Sequence, residues 1–375
     1  MFSDIYGSVT TTFIRNEVRH FSQSGEIVYV AQNIVKNSEG VKIYQLPYKE
    51  NIITRKIRWK KWQKDEQCTF VNSSYGKQLN NIIEQEKPDV IHCHFAYEAI
   101  KIIQNISSKY MIPIFIHFHG YGASQMLHKK SYVQTIQDCL KKENVFPLFV
   151  SGYVREALQS LSIDVSKGYI LRCGVDLGKF YSSSFEKGDG KIIFLQVSSL
   201  AEKKGHRYTI LAFSKFFQLN ERYRSMIKVI FTGGGNRKDE LLNLVKELGL
   251  QENIGFVGNV SSEEAVNLMN KADYYIHHSI EAKDGDKEGI PTSIMEAMAM
   301  NLPILSTNHA GIPELVEHEV NGLLCDEKDV EIFSVQIKEI LSWGKLNINR
   351  DKVEKLYNYK IHNLQLEKLY DEKSK

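Results

Sequence analysis

Two glutamates, Glu288 and Glu296, stand with seven residues between them inside the stretch 279–317, and that interval opens with Gly289, Ile290, Pro291 and Thr292. Pro291 has no N–H to lose and a φ that is already helical, so it suits the first turn of a helix. Ile294, Ala297 and Met298 follow at helical spacing on one face. A helix is therefore expected to begin within 289–292. Its first amides have no intrahelical partner and carry the positive end of the helix dipole, so they can receive an anion such as a diphosphate. Gly289 lets a ligand approach the backbone closely. Glu288, just outside the helix, can bond sugar hydroxyls, and Glu296 faces back toward the same pocket from little more than one turn in. Two carboxylates beside an anion-receiving helix end describe a nucleotide-sugar site. The plainer alternatives are a Glu296 on the helix surface and a Glu288 that only complements a positive helix end.

Other groups capable of chemistry lie at the ends of expected strands. Segments 88–95 and 114–120 read as buried parallel strands ending in polar residues, and ligands of doubly wound sheets bind at the carboxyl ends of strands. That makes His94 and His119 candidates for a cleft. His92, His94, His117 and His119 also invite a metal reading, because alternate strand residues point the same way and two pairs could converge. No carboxylate or cysteine accompanies them at a recognisable spacing, so no metal is assigned. Asp284-Gly-Asp286 could hold Mg²⁺ or Mn²⁺ through donor phosphates. The turn at Gly233, Gly234 and Gly235 follows a strand, yet it is not a G-x-G-x-x-G and is weak evidence alone.

The elements that must carry these groups alternate strand and helix. In the first half, 10–21 reads as a helix with Phe13, Val18 and Phe21 inward, 26–31 and 41–46 as strands, and 149–158 as a strand running into a helix. Segment 182–190 has linker composition. In the second half, strands are expected at 191–197, 229–232, 254–260, 272–279 and 303–307, with a charged terminal helix over 353–370. The segment 52–64 interleaves Arg55, Lys56, Arg58, Lys60, Lys61 and Lys64 with Ile52, Ile53, Ile57, Trp59 and Trp62. Two readings stay open: a helix lying on an anionic membrane surface, or a solvated helix whose tryptophans pack on the domain.

Glu288-Gly-Ile-Pro with its E-x7-E spacing, followed by Ala310-Gly-Ile-Pro-Glu-Leu, resembles the retaining GT-B glycosyltransferases of family 4. Asp284-Gly-Asp-Lys-Glu-Gly-Ile-Pro and Ser306-Thr-Asn-His-Ala-Gly-Ile-Pro-Glu-Leu are especially similar to colanic-acid and amylovoran-type exopolysaccharide enzymes. The resemblance implies an α/β fold of two Rossmann-like, doubly wound parallel-sheet domains facing a central cleft. It implies an acceptor-side domain over 1–181, a linker over 182–190, a nucleotide-sugar domain over 191–345 and a terminal segment over 346–375 that crosses back to the first domain. It places Lys204 on the donor diphosphate together with the amides of Gly289, Ile290, Pro291 and Thr292, where Pro291 contributes only its shape. Glu288 would hold donor-sugar hydroxyls, Glu296 the ribose, and His119, in an F-H-G turn, the sugar's outer hydroxyl. Gly233 and the backbone of Phe256, Val257 and Gly258 would frame the donor and its base. Under this resemblance Asp284 and Asp286 form a polar loop, and neither metal nor cofactor is expected.

The sequence also departs from the pattern. Ser199 stands where the family has an arginine, which removes about 1.5–3 kcal/mol of phosphate binding unless Lys203 or Arg207 substitutes. Thr11 replaces a glutamate, Cys173 an asparagine, and the first strand looks cut short, which bears on the acceptor side.

The 375 residues suffice for two domains, each with its own core. A formal net charge of +3 gives no footing for nucleic acid. The five cysteines lack C-x-x-C spacing and fit a reducing compartment. No N-terminal signal pattern and no apolar run near roughly 18 residues appears, so a cytoplasmic location is expected. The expectation is a hexosyltransferase using a nucleotide-sugar donor, with UDP favoured by resemblance, and a glycan or lipid-linked saccharide acceptor. A nucleotide-sugar-binding accessory subunit that has lost catalysis is the alternative, warranted by Ser199 and the short start; an epimerase or phosphorylase on the same scaffold is a further one.

Overall fold

The computed structural model describes residues 1–6, 12–25, 27–35, 40–50, 52–65, 69–182 and 190–375. Elements run β1 (Phe2–Tyr6), α1 (Thr12–Ser24), β2 (Val28–Ile34), β3 (Lys42–Gln45), α2 (Ile52–Gln63), α3 (Ser73–Glu86), β4 (Ile91–His94), α4 (Ala96–Asn105), β5 (Ile114–Phe118), α5 (Lys130–Leu140), β6 (Val145–Phe149), α6 (Gly152–Gln159) and β7 (Tyr169–Ile170). They continue with β8 (Ile192–Val197), α7 (His206–Leu219), β9 (Ile227–Thr232), α8 (Lys238–Glu247), β10 (Ile254–Gly258), α9 (Ser262–Lys271), β11 (Tyr274–His277), α10 (Thr292–Ala299), β12 (Ile304–Thr307), α11 (Ile312–Leu315), β13 (Gly322–Cys325), α12 (Val330–Ile340), α13 (Asn347–Leu356) and α14 (Tyr359–Lys373). No helix among the described residues is long and apolar enough to cross a membrane.

The chain divides into two units, Met1–Cys173 with Tyr359–Lys375, and Gly174–Asn358. The first holds a parallel sheet in the order β3-β2-β1-β4-β5-β6-β7. Its strand order reverses direction between β1 and β4, the switch point at which doubly wound sheets open a crevice. Every residue of β4 and β5 is buried, as expected of strands covered on both faces, and His94 lies opposite His117 in the register. The second unit holds a parallel sheet in the order β10-β9-β8-β11-β12-β13. Phe194, Phe213, Phe216, Phe231 and Phe333 form the centre of its core.

Three expectations change. The start reads as short and mixed, yet Phe2–Tyr6 forms a strand inside the sheet, paired with β2 and β4. Its pattern is weak because polar Ser3 is buried while apolar Ile5 is exposed, so residue type does not sort between the two faces. Glu26 of the expected second strand and Thr11 lie outside the described residues. Residues 174–181 go with the second unit, so the division falls ahead of the expected linker. Arg350 holds that stretch by donating to the carbonyls of Leu177 and Phe180, and Val175 bridges to Asn358. Most of the linker itself, 183–189, lies outside the described residues. The terminal helix is two helices, because the chain leaves helical geometry at Tyr357 and Asn358, where the Val175 amide donates to the Tyr357 carbonyl at 2.7 Å.

The second of these, α14, belongs to the first unit, packing Leu366 and Leu369 with Phe115, Leu148 and Leu171. Leu366→Ala should therefore cost about 2–5 kcal/mol in chemical denaturation. A loss under about 1 kcal/mol would contradict this core.

Candidate active site

In the second unit β8 ends at Val197, and the chain turns through Ser198 and Ser199 into a single 3₁₀ turn, Glu202–Lys204. It enters α7 through Gly205, whose φ is +64° and where a Cβ would fall 1.6 Å from the His278 carbonyl oxygen. Only glycine fits there. The Gln196 side-chain amide donates to the Lys204 carbonyl at 2.9 Å and fixes the turn. Lys204 Nζ then lies 2.7 Å from Glu288 Oε1, both side chains largely buried. Burial alone would raise the Glu288 carboxyl, but the Lys204 and Lys203 ammoniums outweigh it and hold the group down to about 2. His277 is fully buried, and burial with Lys204 beside it keeps the imidazole neutral, well below its ordinary value.

The helix that follows Glu288 starts one residue later than the proline rule suggests. Pro291 is extended, with φ −72° and ψ 112°, and caps α10 from outside, so Thr292 is the first helical residue. The ring preselects φ but leaves ψ free, and here ψ is not helical. Gly289 and Ile290 connect Glu288 to this end, with Ile290 buried.

Two residues that the sequence reading gave no role fix the Glu288 backbone. The Glu288 amide donates to His309 Nε2 at 3.1 Å, and His309 Nδ1 lies 2.6 Å from Glu327 Oε1. An amide donor on Nε2 requires a lone pair there, so the proton sits on Nδ1 and is donated to Glu327. Glu327 Oε2 accepts from the Glu281 amide at 2.7 Å, tying both ends of the 281–288 loop to one carboxylate. His309 lies inside the quoted Ser306-Thr-Asn-His motif; no local spacing connects it to Glu327.

Asp284 and Asp286 are both engaged within the loop. Asp286 Oδ2 pairs with Lys203 Nζ at 2.9 Å, and Asp284 Oδ1 accepts from the Asp286 amide at 3.1 Å. Glu296 is half-buried, and desolvation pushes its carboxyl up to about 8 against the pull of Lys179. The glutamate pair therefore holds opposite protonation states near neutral pH.

Ser199 is exposed at the turn after β8. The glycine run packs against that turn: Gly233 has φ +95°, and a Cβ on it would sit 2.1 Å from the Ser198 carbonyl oxygen. The Leu200 amide donates to the Gly234 carbonyl at 2.8 Å. Of the two proposed substitutes for arginine, Lys203 lies beside Glu288 and Asp286, while Arg207 pairs with Glu240 at 3.6 Å. Phe256 packs on Phe231 with centroids 5.3 Å apart, Val257 is exposed, and Gly258 adopts φ +78° at the carboxyl end of β10.

His119 belongs to the first unit. Its ring lies between Phe13 and Phe95, each 4.8 Å away, and beside His117 at 4.4 Å. Phe95 has φ +70°, a left-handed conformation that a bulky residue rarely adopts and that marks functional sites. Beneath His119, Glu17 of α1 meets His94 Nε2 at 3.2 Å and His362 Nε2 at 3.0 Å. Burial holds His119, His117 and His92 below their ordinary values, so these imidazoles are neutral. The sequence reading placed the histidines together but found no carboxylate, because Glu17 reaches them from a separate helix.

The family profile for Glycosyl transferases group 1 matches residues 179–359, and that for Glycosyltransferase Family 4 matches residues 11–179. The chain belongs to this family of glycosyltransferases. It is 27% identical over 327 residues to the amylovoran biosynthesis glycosyltransferase AmsK of Erwinia amylovora, covering 81% of this chain and 77% of that one. It is 30% identical over 258 residues to the putative colanic acid biosynthesis glycosyltransferase WcaL of Salmonella typhimurium, covering 67% of this chain and 62% of that one. Anabaena Alr3699/HepE, solved with UDP and glucose, superposes with a TM-score of 0.77 at 15% identity, covering 99% of this chain and 98% of that one. The sucrose-phosphate synthase of Thermosynechococcus elongatus gives 0.78 at 16% identity, covering 98% and 93%. The fold is GT-B.

A folded-state carboxyl near 2, against the ordinary 4.5, means that Glu288 contributes stability fully present above about pH 4.5 and lost as pH falls toward 2. The size is about 3 kcal/mol. The stability gap between wild type and Glu288→Gln, followed by denaturant titration, should narrow through that window. A gap constant from about pH 6 to pH 3 would remove the depressed carboxyl.

Proposed function

We propose that this chain is a retaining hexosyltransferase that takes its sugar from a UDP-sugar. The acceptor on this reading is a growing exopolysaccharide, capsule or other cell-surface glycan, carried on a lipid. The observation that carries the reading is the buried Lys204–Glu288 pair directly ahead of α10. An ammonium and a carboxylate removed from water are costly unless each is satisfied, so such a pair is poor evidence for stability. It is well suited to exchange: an incoming diphosphate takes Lys204, and the released Glu288 accepts from donor-sugar hydroxyls. The amino end of α10 adds its dipole on the same side. Lys203 supplies the cation that Ser199 lacks.

Chemistry follows on one face of the sugar. The anomeric C–O bond to the diphosphate lengthens, positive charge develops on the ring, and Lys204 with the helix end neutralises the departing oxygen. That oxygen takes the acceptor hydroxyl's proton while the acceptor oxygen forms the new bond, so the anomeric configuration is kept. Glu296, protonated near neutral pH, donates to a ribose hydroxyl, and His119 bonds the sugar's outer hydroxyl. No metal or cofactor enters these steps. EDTA should therefore leave turnover within about twofold; loss of activity restored by Mn²⁺ would instead move the diphosphate to Asp284 and Asp286.

The proposed location is the cytoplasm, at the inner face of the plasma membrane. Support comes from α2, where Ile52, Ile53 and Ile57 are exposed among Arg55, Lys56, Lys60 and Lys61. Such a surface suits anionic headgroups.

Ser199 keeps a second reading in play, that of a donor-binding accessory subunit without turnover. Thermal unfolding with UDP, GDP, ADP and their sugars, followed by a transfer assay, separates the two. Ligand at about 100 times its dissociation constant adds roughly 2.7 kcal/mol, several degrees in midpoint. A UDP-selective rise, weakened in Lys204→Ala, with turnover supports the transferase. The same rise without turnover supports the accessory subunit, and no rise with any nucleotide defeats both.

A further inference from the structure

A second cavity, of about 450 Å³, lies wholly inside the first unit. It is built at the carboxyl ends of that sheet's strands: Tyr48 and Lys49 follow β3, Arg55 and Arg58 lie on α2, and Tyr97 and Lys101 lie on α4, which follows β4. Carboxyl ends beside a switch point are where parallel sheets bind ligands.

The charge of this cavity does not cancel. Arg58 holds Glu50 through Nε at 2.9 Å and Nη2 at 2.6 Å. Lys101 Nζ holds Glu98 Oε1 at 2.7 Å, both residues more than nine-tenths buried, and Glu98 Oε2 accepts from Gln32 at 3.0 Å. Two carboxylates are thus committed to two cations. Lys49 and Arg55, both exposed at the rim, meet no carboxylate among the described residues. Among the described residues, four cations against two carboxylates leave the cavity with two positive charges. The Lys101 ammonium sits 4.5 Å from the centre of the Tyr97 ring, which fixes one wall as an aromatic face. Tyr48 adds a second ring, edge-on to Tyr75 at 5.2 Å.

We propose that this cavity binds an anionic group on the acceptor, with Arg55 and Lys49 as its cations and Tyr97 as a platform for a sugar ring. The assignment of the ligand as acceptor rests on the transferase reading; the site itself rests on the cavity, its uncompensated charge and its fixed walls. An oxyanion has two sources here, the carboxylate of an acidic sugar and the diphosphate of a lipid carrier. A guanidinium matches either through paired N–H donors.

The test measures binding of three probes to the full chain by ligand-observed NMR: 4-nitrophenyl glucuronide, 4-nitrophenyl glucoside and geranyl diphosphate. UDP is kept saturating so that the diphosphate residues of the second unit are occupied. One anionic probe should bind at least about tenfold more tightly than the neutral glucoside. The double variant Lys49→Ala/Arg55→Ala should erase that preference, and because neither side chain is paired among the described residues, its unfolding midpoint and its stabilisation by UDP should stay at wild-type values. Preference for the glucuronide names an acidic sugar, and preference for geranyl diphosphate names a carrier lipid. Equal binding of all three probes, no binding of any, or an unchanged preference in the double variant overturns the site. Anionic preference without any stabilisation by UDP keeps the site and defeats the transferase reading instead.

Discussion

An ammonium and a carboxylate held 2.7 Å apart out of water set the terms for the second unit. Each would be costly to bury alone, and neither can move without leaving the other unpaired. The surrounding structure therefore holds the backbone on both sides of the pair. On the lysine side, Gly205 lets the turn press against the His278 carbonyl, and Gln196 holds the Lys204 carbonyl. On the glutamate side, His309 and Glu327 hold the Glu288 amide, and Lys203 ties the same loop through Asp286. The two sides come from the ends of different strands of one parallel sheet. The turns that follow β8 and β11 are thus held against each other by a buried ion pair.

The first unit meets a similar problem with different groups. Glu17 is almost wholly buried, and its partners His94 and His362 come from β4 and α14, far apart in the chain. One carboxylate there is shared by two imidazoles, which requires α1, the end of β4 and α14 to pack together. His119 lies at the edge of this stack with Phe95 in a strained conformation beside it. The polar stack fixes the ring that the proposed mechanism presents to a sugar.

Much of this was legible in the chain because it depends on local periodicity. Strands at 88–95 and 114–120, the turn at Gly233 and the start of α10 announce themselves through buried runs, glycine and helical spacing. Glu288 and Glu296 stood out through the spacing around Pro291, and Lys204 through motif resemblance; the structure brings Lys204 and Glu288 together as an ion pair. The missing part is made of pairs distant in sequence: Glu17 with His362, His309 with Glu327, Lys203 with Asp286. Each member is an ordinary polar residue in its own segment and acquires meaning only from a partner brought in by topology. The strand Phe2–Tyr6 failed for a related reason, since its place is set by pairing with β2 and β4 and not by an alternation of its own. Pro291 shows a finer limit: its ring fixes φ, but ψ is settled by the loop that His309 and Glu327 hold.

The opposite displacement of the two glutamates is the feature that most narrows their chemistry. Glu288 is held down to about 2 and Glu296 is pushed up to about 8, although the two are the same residue type in one short stretch. Lys204 and Lys203 stand beside the first, and burial dominates the second. Environments that drive like groups apart divide the labour of a site. An ionised Glu288 only accepts hydrogen bonds, so on the proposed reading it suits the hydroxyls of a sugar and repels a phosphate until Lys204 changes partner. A protonated Glu296 both donates and accepts, which suits a hydroxyl pair and adds no negative charge near a diphosphate. Two ionised carboxylates would oppose the binding of a donor with two negative charges at its centre. On the proposed reading, keeping one neutral, and pairing the other with a lysine that the diphosphate can claim, would let the same two residues take the sugars on either side of it.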